Sequence, residues 1–292
     1  MDLGKAISYN SLSINTETRS AGGLPTSGYR VDKFQPYPPT IDSYFEKRAL
    51  ADGMDAGDVY LAERRFGLIV TVLGTSQGDF WDKAQDLLAA FNPTIAYSTD
   101  SANRGFLPLD FYQPTADIAT WPTSAYPNGI PLRYYVRPMH QPVYIIERDK
   151  DGGTASRGFS KRFEISLHAR DPRKYLQTMI GTTVTSSSQT ASYRGDYPTW
   201  PVITWSMSAA GSSAFSFVLG GAGWAINLSS QTSGSLELDF GKGTFINTQT
   251  NSSLMSLVGT TEAIPPVQAG FTYYAINPPN AAIQMSYREA FS

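Results

Sequence analysis

Cysteine is absent from all 292 residues, which excludes disulfides, thiolate nucleophiles and Cys-ligated zinc while leaving the redox compartment open. Histidine occurs only at His140 and His168, so imidazole chemistry has few places to sit. Charge is scarce as well: Asp, Glu, Lys and Arg make up 16% of the chain, against roughly 25% in an average soluble protein. Burial between subunits accounts for such a shortage. The net charge is only -2 and no Lys/Arg block is present to neutralise a run of phosphates, which argues against direct nucleic-acid recognition. No stretch approaches the about 18 consecutive apolar residues of a membrane helix. Met1-Asp2-Leu3-Gly4-Lys5 does not open a signal peptide. A protein made and kept in the cytosol, or one that leaves it without a secretion signal, is expected from these two absences, with no membrane insertion.

Apolar residues are plentiful, at 41%, and the 17 Tyr, 15 Phe and 5 Trp favour strands, carbohydrate platforms and protein interfaces alike. The length exceeds that of one ordinary domain and implies two. The polar stretch Gly181 to Ser192 has no apolar periodicity and reads as a flexible linker. That places one domain at residues 1–180 and a second at 193–292.

In the first part, Phe66-Gly-Leu-Ile-Val-Thr-Val-Leu73 is a nearly continuous apolar run rich in β-branched residues, the pattern of a strand buried on both faces. One helix follows at about 79–91. Its Trp81, Ala84, Leu87, Leu88 and Phe91 keep helical spacing, Asp79 is placed to cap the start and Pro93 to end it. Residues 92–131 are rich in Pro, Ser, Thr and aromatics without clear period and read as a long excursion. Further strands are expected at 133–137, 143–148 and 159–170. The last alternates Phe163, Ile165, Leu167 and Ala169 with Glu164, Ser166, His168 and Arg170, one dry face and one wet. Asp149 to Ser156 has the Gly and Asp of a hairpin loop.

After residue 193, short strands recur between turns at 201–206, 214–218, 224–228, 235–240, 244–247 and 282–287. Gly241-Lys-Gly243 is one such turn, and no helical pattern appears. The second part therefore reads as an all-β sandwich.

The sharpest catalytic motif is Gly74-Thr75-Ser76-Gln77-Gly78, a G-x-S-x-G match between a strand and a helix, as in the nucleophile turn of serine hydrolases. Such enzymes need alternating strands and helices and a late histidine, and this chain supplies one helix and two early histidines. A polar strand-to-helix turn is the better account of Ser76. Asp149-Lys-Asp151-Gly152 resembles part of a calcium loop but lacks the closing Glu, and Asp52, Asp55 and Asp58 read as a solvated loop; no metal or other cofactor is implied. His168, on the wet face of its strand, is expected to be exposed. Trp200, Trp205, Trp224, Tyr193 and Tyr197 are candidates for a sugar-stacking face, with core packing favoured for Trp205. Tyr197 and Trp200, beside Pro198 and Pro201, are the two kept as candidate glycan or partner contacts.

Several motifs occur in one order along the chain: Arg64-Arg65-Phe66-Gly-Leu-Ile-Val, Leu73-Gly74, the helix ending Ala89-Ala90-Phe91-Asn92-Pro93, Arg133-Tyr-Tyr-Val-Arg-Pro138, and Phe163 to Pro172 with Tyr175. Gly195-Asp-Tyr-Pro-Thr-Trp-Pro-Val-Ile203, Leu236-Glu-Leu-Asp239 and Ala269-Gly270-Phe-Thr follow. Together they resemble the distal tail protein family of phages with long non-contractile tails. The resemblance implies a mainly β fold, in which an N-terminal ring-forming β-barrel or sandwich-like domain with one helix precedes a galectin-like β-sandwich. It implies a purely structural, non-enzymatic role in the virion tail tip: a homo-oligomer, hexameric in the family, between the tail tube protein and the hub, fibre or receptor-binding protein. DNA would pass through the ring lumen without specific binding. The 92–131 excursion is the main departure from the family pattern. A carbohydrate-binding module using the C-terminal sandwich is the alternative reading.

Overall fold

The computed structural model describes residues 4–19, 25–47, 54–101, 103–113, 129–145, 159–207, 214–227, 234–261, 265–276 and 283–291. The chain divides into two compact units, Met1–Lys174 and Tyr175–Ser292.

The first unit begins with β1 (Gly4–Tyr9), β2 (Leu12–Ser13), β3 (Thr18–Arg19), β4 (Pro25–Pro36), β5 (Ile41–Lys47), β6 (Met54–Leu61) and β7 (Arg64–Gly74). Two helices follow, α1 (Gln77–Ala90) and α2 (Pro93–Thr99), then β8 (Leu107–Gln113), β9 (Ile130–Pro138), β10 (Val143–Tyr144) and β11 (Phe159–Ala169). β12 (Lys174–Leu176) straddles the boundary. The main sheet has the order β2-β1-β8-β9-β11-β7-β4-β3, while β5 and β6 form a separate two-stranded sheet.

β7 is central because its apolar run suits neither an edge nor a wet face. It pairs antiparallel with β11 on one side (Ile165↔Leu68, Phe163↔Val70) and with β4 on the other (Phe34↔Leu68, Tyr29↔Val72). From Val70 to Leu73 every residue is buried, as expected of a strand covered on both faces. β11 keeps its alternation: Phe163, Ile165, Leu167 and Ala169 are buried. On the core face Phe66 stacks on Phe34 at 5.9 Å and meets the edge of Tyr134 at 4.6 Å, with Phe111 stacked on Tyr134 at 5.3 Å. α1 lies against β7 through Phe80, Ala84 and Leu87. Burial of one such leucine stabilises by about 1.5–3 kcal/mol.

Three expectations for this unit need correction. The inward stripe of α1 is Phe80, Ala84, Leu87 and Ala90, and Trp81 is 53% exposed. The close approach of Phe80 to Gly74, where a Cβ would lie 2.6 Å from it, sets the helix one residue away from the Trp81 stripe. Pro93 ends nothing. It opens α2 at the first helical position, where its missing N–H costs no bond, with Asn92 Oδ1 accepting from Thr94 N at 2.9 Å. The 92–131 excursion also contains a strand of the main sheet: β8 pairs with β9 throughout (Leu109↔Tyr134) and buries Leu107, Leu109 and Phe111. The 149–156 loop lies outside the described residues, as do 146–148 of the expected 143–148 strand.

The second unit continues with β13 (Ile180–Val184), β14 (Gln189–Thr190), β15 (Val202–Met207), β16 (Ala214–Leu219), β17 (Ala222–Asn227) and β18 (Gly234–Asp239). It ends with β19 (Thr244–Asn247), β20 (Ser252–Ser253), β21 (Val258–Thr261), β22 (Thr272–Ile276), β23 (Ile283–Tyr287) and β24 (Ala290–Phe291). One sheet has the order β13-β23-β15-β18-β19-β20 and the other β14-β22-β16-β17-β21. Their inner faces share one apolar core, including Ile203, Trp205, Leu236, Leu238 and Phe245 from the first and Phe217, Ile226 and Tyr273 from the second. Among the described residues of this unit, one 3-10 turn, Met255–Leu257, interrupts the strands. The stretch 181–192 read as a linker carries β13 and β14, each hydrogen-bonded into this sandwich (Thr182↔Met285, Gln189↔Tyr273). The unit boundary falls earlier, at Lys174.

Candidate functional site

Ser76 stands at the turn from β7 into α1, where a nucleophile would. Its backbone is extended (φ -143, ψ 169), an ordinary N-cap conformation rather than the strained turn that presents a hydrolase serine. Its Oγ accepts from Asp79 N at 3.1 Å, and the Asp79 carboxylate turns back to accept from Thr75 N at 2.7 Å. Ser76, not Asp79, is therefore the cap. A hydrogen bond from Lys83, reinforced by the Thr75 N–H, holds the Asp79 carboxyl down at about 2. The histidines lie at the far end of the sheet: His168 is paired across β11 and β9 with Arg137 and across β11 and β7 with Arg65. Met139 N bonds Ser166 O at 3.0 Å and brings His140 to the same end. At about 3.3 Å per strand residue, both are on the order of 30 Å from Ser76. No proton relay joins them, and Ser76 is a helix cap.

His168 is half-buried rather than simply exposed. Its Nε2 lies 2.8 Å from Glu63 Oε2, and its ring meets Phe106 edge-on at 5.6 Å. Arg65 bonds the other Glu63 oxygen at 3.1 Å, and this bond first, then His168, lowers the Glu63 carboxyl. Glu63 also closes the base of the β5–β6 hairpin, since Thr40 N donates to Glu63 O at 2.8 Å.

On the outer face of the main sheet, a bulge between Val31 and Lys33 re-aims Asp32 across the strands. Asp32 accepts from Arg30 Nε at 2.6 Å, from Arg162 Nε at 3.1 Å and from the Thr71 hydroxyl. Among the described residues, no group of three or more acidic or histidine side chains is placed to hold a metal. Asp55 and Asp58 belong to strand β6, not to a loop, while Asp52, Asp149 and Asp151 lie outside the described residues.

Of the aromatic residues considered for a sugar face, Trp205 and Tyr193 are buried and Trp224 packs edge-on to Phe240 at 4.8 Å. Tyr197 is half-buried, its N–H bonded to Ala290 O at 3.1 Å and its carbonyl accepting from the Tyr193 hydroxyl. Trp200 is 42% exposed. Trp200 neighbours Asp239, Gly241 and Lys242, which the sequence reading did not join to it. The signal was available as Asp239-Phe-Gly-Lys-Gly243 at a strand end, but only the register of β15 with β18 places that turn beside Trp200. Near the C-terminus Glu289 is buried, accepting from Arg194 N at 2.7 Å; burial pushes its carboxyl up, and the Arg194 N–H opposes this.

No protein-family model and no curated protein matches the chain. Among solved structures, the Dit protein of phage SPP1 aligns with a TM-score of 0.60 at 14% identity, over 97% of this chain and 98% of that one. The chain has the Dit fold. The SPP1 protein is described as a paradigm of the hub adsorption apparatus in phages infecting Gram-positive bacteria. Two chains of the phage P2 baseplate in its activated conformation, with Ca and with Sr, align at TM-scores of 0.48 and 0.43. Their identities are 8% and 9%, over 88% and 89% of this chain and 90% of each. The alignment extends over both units.

Proposed function

We propose that this chain is a structural component of a phage tail tip: a distal tail protein that forms a ring, hexameric as in the family it resembles, between the tail tube and the adhesion apparatus. The observation that carries this reading is the Dit fold, matched over 97% of the chain. Assembly also accounts for features that a monomer leaves unexplained. The β5–β6 hairpin is a two-stranded sheet, marginal by itself in water and stabilised when a neighbouring subunit adds strands. Exposed apolar side chains occur on the helices (Trp81, Ile95, Tyr97) and around β10 and the start of β11 (Val143, Tyr144, Phe159), as suits contact with partner subunits. Residues 1–174 are the ring-forming part, and the sandwich holds the hub, fibre or receptor-binding protein. The low net charge and mixed-sign outer face suit a lumen through which DNA slides without being held. The role is non-catalytic and its place is the virion, after synthesis in the host cytoplasm.

Electron microscopy of the purified protein, alone and mixed with its tail tube protein, tests this. Closed rings of defined symmetry are the expected image. Monomers under both conditions would overturn the reading.

A further inference from the structure

We propose that the turn following β18 carries a saccharide site, with Trp200 as the stacking platform and Asp239 and Lys242 binding hydroxyls of a neutral hexopyranose. The inference goes beyond the tail-ring reading and stands on the second unit alone. Val202↔Asp239 pairing sets the start of β15 against the end of β18, and Phe240 N donates to Pro201 O at 3.2 Å, so the turn at 240–243 closes beside Trp200. Gly241 lies between the groups. A Cβ at that position would be 3.3 Å from Asp239 Oδ1, 3.3 Å from Trp200 Cβ and 3.7 Å from Trp200 Cδ1. Carboxylate and indole thus flank one point that carries no side chain. Trp200 is 42% exposed, whereas Trp205 in the core is 2% exposed.

Asp239 is 8% exposed and held in place from both sides. Its Oδ1 accepts from Lys242 N at 3.0 Å and its Oδ2 meets Lys242 Nζ at 3.0 Å. An ionised carboxylate offers about four acceptor sites, more than the two contacts with Lys242 occupy. Hydrogen bonds to such charged groups are the stronger kind. A pyranose presents one apolar C–H face and a rim of hydroxyls, which matches an exposed ring bordered by a fixed acceptor and a mobile donor. The Asp239–Lys242 pair carries no net charge, which suits a neutral sugar.

The test uses the full chain on an array of neutral hexopyranosides and N-acetylhexosaminides, followed by calorimetry with the saccharides that bind. Trp200→Ala weakens binding about tenfold or more, the equivalent of ~1.4 kcal/mol. Gly241→Ala, whose Cβ would press to 3.3 Å on both Asp239 Oδ1 and Trp200 Cβ and displace them, weakens it too. Trp81→Ala, an exposed tryptophan of the first unit, leaves it unchanged. No saccharide bound anywhere on the array, or binding indifferent to both Trp200→Ala and Gly241→Ala, overturns the site. Rings that still form in Trp200→Ala separate failure of this site from failure of the ring reading.

Discussion

In the first unit, charged side chains tie strands together: Asp110 to Arg133 across β8 and β9, Asp32 on β4 to Arg162 on β11 over the intervening β7, and Glu63 to His168 beside β7. In the second, the polar contacts between strands run through hydroxyls and amides: Thr182 to Tyr273, Ser206 to Ser235, and Gln284 to Thr183. The difference follows strand length. β4, β7 and β11 run for 12, 11 and 11 residues, where a slip of one residue would turn a whole apolar face outward. Directional charge pairs oppose such a slip. The Asp110–Arg133 pair is bidentate, at 2.6 and 2.9 Å, and it raises the Arg133 pKa. Among the described residues the strands of the sandwich have 6 residues or fewer, and short turns set the register of the β16–β17 and β18–β19 hairpins, where neutral contacts suffice.

The largest test of this contrast breaks each core in turn. Phe66→Ala removes a side chain that is 1% exposed at the centre of the ring cluster and should cost the first unit about 3–5 kcal/mol. Trp205→Ala should do the same to the second. Calorimetry is expected to show a different transition moving in each variant, and one shared transition would mean that the units melt together. Next in size, Gly74→Ala forces a Cβ to 2.6 Å from Phe80 and should cost about 1–3 kcal/mol by lifting α1 from β7, read from the first unit's denaturant midpoint. Ser76→Ala removes the helix cap and should cost about 1 kcal/mol. A fluorophosphonate probe should leave Ser76 unlabelled in the parent protein; labelling would restore the hydrolase reading.

The smallest effect concerns Glu289. Its folded pKa is raised above the ordinary 4.5 by burial, so the folded state holds its proton more tightly than the unfolded state. Stability of the second unit is then fully present below that ordinary value and declines as pH rises through the folded value. Glu289→Gln keeps an acceptor for Arg194 N and removes the charge. It should raise the melting temperature at neutral pH and change it least in mild acid, and the opposite trend would refute the assignment.

Much of this was legible in the chain. The apolar run of β7 and the alternation of β11 are direct records of burial, and the sandwich strands at 202–207, 234–239 and 244–247 were marked by the turns around them. β13 was missed because it forms the edge of its sheet, where Thr182 and Thr183 find polar partners and no apolar period is needed. Pro108 disguised β8, although Leu107, Leu109 and Phe111 alternate within it. Phe80 and Trp81 are both apolar and adjacent, so spacing alone offered two stripes, and the packing of Phe80 on Gly74 chose between them.

By itself, the sequence determined the mainly β class, the position of the helix after the central strand, and the exclusion of cysteine chemistry, because these rest on composition and local period. Tertiary structure decided what the chemical groups do. It set Ser76 at a helix start on the order of 30 Å from either histidine. It also brought Trp200, Asp239 and Lys242 around one glycine through the pairing of β15 with β18. Distances between residues far apart in the chain arise from strand register, and no local pattern contains them.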